Sequence, residues 1–109
     1  MEVLKLFVEF YRDIRGHCPF DEWMDTLSEP IQARLTKRLI RLSNGLLGDV
    51  EPIGDGLSEL REHFGAGYRM YVGIRGSHAL VLLGSDKTNQ ERTIILAKSL
   101  WKEWKIRMS

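Results

Sequence analysis

A chain of 109 residues, 43% hydrophobic and 28% charged, is long enough for one modest core and too short for two. That balance excludes a disordered chain, and no apolar run approaches the roughly 18 residues of a membrane-spanning helix. The net charge of +1 hides an asymmetry: the first 33 residues carry three basic and seven acidic side chains, the remaining 76 thirteen and eight. A basic second part fits an anionic partner, although proteins that bind none have such asymmetries too.

The single cysteine, Cys18, precludes an internal disulfide and fits a reducing compartment. Placed before Pro19 and close to Asp21 and Glu22, it reads as a small residue at a helix start rather than an activated thiolate. Met1-Glu2-Val3 has neither the basic region nor the cleavage site of a signal peptide, so a cytoplasmic location is expected.

Residues 2–12 alternate, with Leu4, Leu6, Val8 and Phe10 on one face and Lys5 and Glu9 on the other, which predicts a half-buried strand. Pro19 suits the first turn of a helix whose apolar positions are Phe20, Trp23, Met24 and Leu27, with Asp21, Glu22 and Asp25 placed to suit its dipole. Ser28 and Pro30 open a second helix, with Ile31, Leu35, Leu39 and Leu42 as its stripe and Asn44-Gly45 as its stop. Arg34, Lys37, Arg38 and Arg41 share its other side, a basic stripe that suits RNA, an acidic protein segment or plain solvent equally well.

Residues 45–56, with four glycines and Pro52, predict a loop. Three strands are expected at about 57–64, 68–75 and 78–84, joined by Gly65-Ala66-Gly67 and Gly76-Ser77 as an antiparallel meander. Ala79 to Leu83 is apolar on both faces and suits a central strand. Thr88 and Glu91 form a capping-box pair ahead of a last helix, with Ile94, Ala97, Trp101 and Trp104 inward and Lys98, Lys102 and Lys105 on another side. The expected order is β-α-α-β-β-β-α, an α+β domain over residues 1–109 built as one layer pair.

The chemistry concentrates in the predicted hairpin. Side chains alternate along strands, so Glu59, Arg61 and His63 share a face, and Arg69 and Tyr71 share one opposite the apolar Met70, Val72 and Ile74. If the faces align, Arg61, His63, Arg69 and Tyr71 line one surface, with Lys87 at its edge. Such a set is adequate for RNA cleavage, where fixed cations stabilise the phosphorane and Lys, Tyr or His moves protons. Arg61 and Arg69 suit cross-strand ion pairs with Glu59 and Glu62 as well, and the residues alone leave both accounts open. Asp86 either orients Lys87 or caps a helix. His17, His63 and His78 have no ligand spacing with carboxylates or cysteines, so neither a metal nor a cofactor is called for.

Together these segments resemble the RelE/HigB-type toxins of bacterial toxin–antitoxin modules, in the branch of the addiction-module killer proteins. The resemblance runs through nearly the whole chain. It is carried by Pro19-Phe20-x-Glu22-Trp23, Gly48-Asp49-Val50-x-Pro52-Ile53-Gly54-x-Gly56 and Leu57-Ser58-Glu59-Leu60-Arg61. It continues with Gly65-x-Gly67-Tyr68-Arg69-x-Tyr71, Gly84-x-Asp86-Lys87 and Ala97-Lys98-x-Leu100-Trp101. It implies a RelE-like fold, a twisted antiparallel sheet flanked by helices. It also implies an mRNA interferase that cuts translated messages in the ribosomal A site, without metal, by 2′-hydroxyl attack.

On that resemblance Arg61 and Arg69 hold the scissile phosphate, Lys87 moves a proton or contacts phosphate, and Tyr68 or Tyr71 stacks or assists. His63, Asp86, Arg38 and Lys98 are further candidates for substrate contact. The implied partners are the ribosome, mRNA and a helix-turn-helix antitoxin through which the complex reaches operator DNA. Some relatives use a histidine near the C-terminus, which this chain lacks after His78. A gyrase poison of the related ParE type, which has no need of the Arg61, Arg69 and Lys87 set, and a non-catalytic corepressor subunit are the alternatives.

Overall fold

The computed structural model describes residues 5–109, so the expectation for residues 2–4, Leu4 included, lies outside the described residues. The chain is α+β, with β1 (Phe7–Phe10), α1 (Pro19–Met24), α2 (Glu29–Ser43), β2 (Val50–Gly54), β3 (Leu57–Arg61), β4 (Arg69–Arg75), β5 (His78–Ser85) and α3 (Gln90–Arg107) in order. No described helix is long and apolar enough to cross a membrane.

Five strands form one mixed sheet in the order β1-β5-β4-β3-β2. β5 is therefore interior, as its doubly apolar run requires. Two features differ from the expectation. The glycine-rich stretch read as a loop contains β2, an edge strand paired antiparallel with β3 from Val50↔Leu60. Pro52 is tolerated because an edge strand has one side on which a missing N–H breaks no ladder bond. The sheet is also not wholly antiparallel: β1 runs parallel to β5, from Phe7↔His78 to Phe10↔Val81.

Helices cover both faces of the sheet rather than making one layer pair. On the first face, Phe20 of α1 and Leu35, Leu39 and Leu42 of α2 pack on Leu60, Met70, Val72, Ala79 and Val81. On the second, Ala97 and Trp101 of α3 pack on Leu57, Tyr71, Leu80 and Leu83. Each wholly buried leucine in these clusters contributes about 1.5–3 kcal/mol over its exposed state. Two tryptophans reach the backbone of the sheet at glycines. A Cβ on Gly73 would lie 2.4 Å from the Trp101 ring, and one on Gly84 would lie 2.2 Å from Trp23, so each glycine is the seat of an indole.

The helix ends follow the sequence in part. Pro19 and Pro30 occupy first turns, and Asn44 closes α2. The capping box expected from Thr88 and Glu91 does not form; Asn89 takes the N-cap position with no side-chain cap bond. Asp86 instead accepts the Asn89 N–H at 2.9 Å and its side-chain amide at 3.0 Å, which sets the turn into α3.

Candidate functional site

The β3–β4 and β4–β5 pairings bring the hairpin residues into rows on the α3 face. Arg61 stands opposite Arg69, and Glu59 opposite Tyr71. Arg69 is in turn opposite Ser85 on β5. α3 covers only part of this face, because it begins at Gln90, whose amide meets both oxygens of the buried Glu59 at 3.2 and 2.9 Å. Beyond that point the face opens into a cleft of about 540 Å³ lined by His63, the Gly65-Ala66-Gly67 turn, Arg69, Lys87 and Thr88.

The turn is built for close approach. Gly65 and Gly67 hold φ of 55° and 73°, in the left-handed region that only glycine enters at little cost. The turn is pinned by Glu62 N–H to Tyr68 O at 2.8 Å, Gly67 N–H to Phe64 O at 3.0 Å and Lys87 N–H to Ala66 O at 3.2 Å. A Cβ on Gly67 would lie 3.3 Å from Lys87 Cβ and 3.4 Å from Arg69 Nη1, so this bare backbone is what lets both cations share one hollow.

Arg69 donates from Nη1 to Gly67 O at 2.9 Å and more distantly to Tyr68 O, and its Nε is buried without an acceptor. Among the described residues, no carboxylate comes within 4.0 Å of Arg69 or Lys87. Arg61 is differently placed: its Nη2 meets Asp49 Oδ1 at 3.0 Å and Glu51 Oε2 at 3.6 Å. Its ion pairs are with the β2 edge rather than with Glu59 and Glu62. His63 Nε2 bonds the other Asp49 oxygen, Oδ2. Bonds from His63 and then Arg61 hold the Asp49 carboxyl below the ordinary carboxylate range.

Several sequence-nominated residues lie elsewhere. Tyr71 is completely buried, its hydroxyl 3.1 Å from Ser85 Oγ, and burial pushes it up to about 12, which places it within the core of the α3 face rather than on the cleft surface. Tyr68 is buried on the opposite face, tilted against Phe64 and edge-on to Trp23, away from the cleft that Arg69 and Lys87 line. Arg38 is not part of an exposed stripe. Its guanidinium is buried and donates to Leu47 O, Asp49 O, Arg61 O and Glu62 Oε1 at 2.7–3.1 Å. Asp86 is engaged by Asn89, and Lys98 approaches Gly54 at the β2–β3 turn, two helical turns along α3 from the cleft. Arg69, Lys87 and His63 are brought together, with Arg61 at their border.

Asp49, which enters the sequence pattern only through Gly48-Asp49-Val50, holds both Arg61 and His63. The signal for it was β2 itself: a strand beginning at Val50 opposite Leu60 places the preceding residue beside Arg61.

No family model matches the chain. A protein of Haemophilus influenzae, described as an uncharacterized protein, is 37% identical to it over 92 residues, covering 83% of this chain and 93% of the relative. The chain belongs to the same family as that protein. The aligned length covers most of both chains, so the likeness is one of whole domains, and the relative's printed description carries no activity to transfer.

Proposed function

We propose that the chain is the toxin of a type II toxin–antitoxin module, a ribosome-dependent endoribonuclease of RelE/HigB type that cuts translated mRNA at the A site. The observation that carries this reading is the convergence of Arg69 and Lys87 on one open cleft, beside bare glycine backbone, with no carboxylate partner among the described residues. A guanidinium whose charge is not consumed by the protein is suited to an anion, and a phosphodiester presents one at a geometry that Arg matches with paired donors.

In this reading the substrate phosphate sits against Arg69 and Lys87, and both cations face the charge that grows on the phosphorane oxygens. Preorganised contacts of this kind act where water is partly excluded and typically contribute about 10²–10³ in rate each. Arg61, already shared by Asp49 and Glu51, borders the site and braces Asp49 rather than taking the phosphate itself. The RelE-like arrangement, the helix-turn-helix antitoxin and operator binding through it belong to this same reading and rest on the motif resemblance.

The test is a primer-extension map of a defined mRNA after brief expression of the chain without its antitoxin, with and without translation of that message. Cuts within codons that vanish when the start codon is removed are the expected result. Growth arrest without cuts overturns the ribonuclease reading in favour of a target other than mRNA.

A further inference from the structure

His63 stands at the edge of the cleft that Arg69 and Lys87 line, and its Nε2 is bonded to Asp49 Oδ2. A carboxylate can only accept, so the hydrogen of the neutral ring lies on Nε2 and the lone pair on Nδ1. Asp49 is itself held: its second oxygen accepts from Arg61 Nη2 at 3.0 Å, and its backbone oxygen accepts from the buried Arg38 Nη2 at 2.7 Å. The carboxylate is thus fixed by main chain and side chain, and it fixes one imidazole tautomer at the border of a cationic hollow. As a device for stability the pair contributes little, since His63 and Asp49 side chains are 69% and 39% exposed.

We propose that His63 and Asp49 form the proton-transfer dyad of the cleft, His63 Nδ1 taking the proton of an RNA 2′-hydroxyl and Asp49 positioning the ring. The inference rests on the ribonuclease reading and names the base that reading leaves unassigned. The 2′-O–H bond breaks as its proton passes to Nδ1, and the oxygen's electron pair forms the bond to phosphorus. The bond from phosphorus to the 5′-oxygen breaks, and that oxygen leaves with the pair and takes a proton from the Lys87 ammonium. The products are a 2′,3′-cyclic phosphate and a 5′-hydroxyl. Proton exchange with solvent then returns His63 to neutral and Lys87 to its ammonium form. The charged groups around His63 are Asp49 and, through it, Arg61, with Arg69 and Lys87 across the cleft.

The experiment measures single-turnover cleavage of a defined mRNA on purified ribosomes by the full chain and by His63→Gln, Asp49→Asn and Asp49→Glu, with circular dichroism confirming that each is folded. His63→Gln is expected to lose about 10²-fold or more, the ordinary contribution of a positioned acid–base group. Asp49→Asn is expected to slow cleavage, by less than His63→Gln, with most of the rate restored by Asp49→Glu, a recovery that a general packing role would not produce. Nitrogen NMR of the free protein is expected to find the neutral His63 ring protonated at Nε2. A His63→Gln or Asp49→Asn protein that cuts as fast as wild type, or a ring protonated at Nδ1, overturns the dyad while leaving the ribonuclease reading intact. A wild type that cuts nothing on the ribosome overturns both.

Discussion

Arg38 and Arg69 are two arginines of nearly equal burial, 6% and 7% exposed, each lying against a glycine with positive φ. Beyond that they diverge. At Arg38 the 47–49 loop folds over the guanidinium, Gly48 would place a Cβ 3.0 Å from it, and three carbonyls with one carboxylate take up its two Nη groups, while its Nε lacks an acceptor as it does at Arg69. At Arg69 the Gly67 loop supplies carbonyls alone, and the charge is left facing a cleft. Burial therefore says little about what an arginine does; the inventory of its acceptors says more. The first arginine ties α2 to the β2–β3 hairpin, and the second is held in place without being neutralised.

The comparison can be broken most severely at Arg38. Arg38→Met leaves Glu62 and the carbonyls of Leu47, Asp49 and Arg61 without their donor, a loss of about 3–5 kcal/mol. For a domain of this size that is a fall of more than about 10 °C in melting temperature, measured by circular dichroism. Arg69→Ala should reverse the pattern, with cleavage down about 10²–10³-fold on programmed ribosomes and relief of growth arrest, while the fold persists. An Arg69 variant that folds normally and stays fully active would erase the distinction.

A finer cut compares the glycines. Gly48→Ala and Gly67→Ala each force a side chain into the left-handed region, at about 1–2 kcal/mol. Gly67→Ala should slow cleavage directly, because its Cβ would press on Lys87 and Arg69, whereas Gly48→Ala presses on Arg38 and reaches the cleft only through Asp49. Denaturant melts paired with cleavage rates separate the two outcomes. The smallest expected effect is in acid. The Asp49 carboxyl is depressed in the fold by His63 and Arg61, so its contribution is complete above the ordinary carboxylate value of about 3.9 and is lost as pH falls through the lower folded value. Asp49→Asn should flatten that limb of the stability–pH curve and leave its slope above neutrality unchanged.

The sequence was most legible where one periodicity dominates. The stripe Ile31, Leu35, Leu39 and Leu42 marks a helix found at Glu29–Ser43, and alternation in the meander puts Arg61 and Arg69 on one face provided the strands align, which the Arg61↔Arg69 register supplies. It was least legible where side chains act at a distance in the chain. Helical spacing put Arg38 with Arg34, Lys37 and Arg41, but its partners lie at 47, 49, 61 and 62, and no local pattern announces them. β2 was hidden by its glycines and Pro52, which an edge strand accommodates and a central one does not. Tyr71 shares the polar face of its strand as alternation requires. Alternation does not say that Ser85 and Glu59 would enclose it there rather than leave it at the surface.

The indoles seated on Gly73 and Gly84 make the two faces of the sheet separately visible to spectroscopy. Trp101 lies parallel to Trp104, ring centroids 5.5 Å apart and planes 7° from coincidence, a stacked pair close enough to couple electronically and confined to α3. Trp23 sits on the other face beside Tyr68, where its emission reports the docking of α1. An unfolding transition followed by both signals would show whether the helix that borders the cleft leaves the sheet before, with or after the layer that Arg38 locks down.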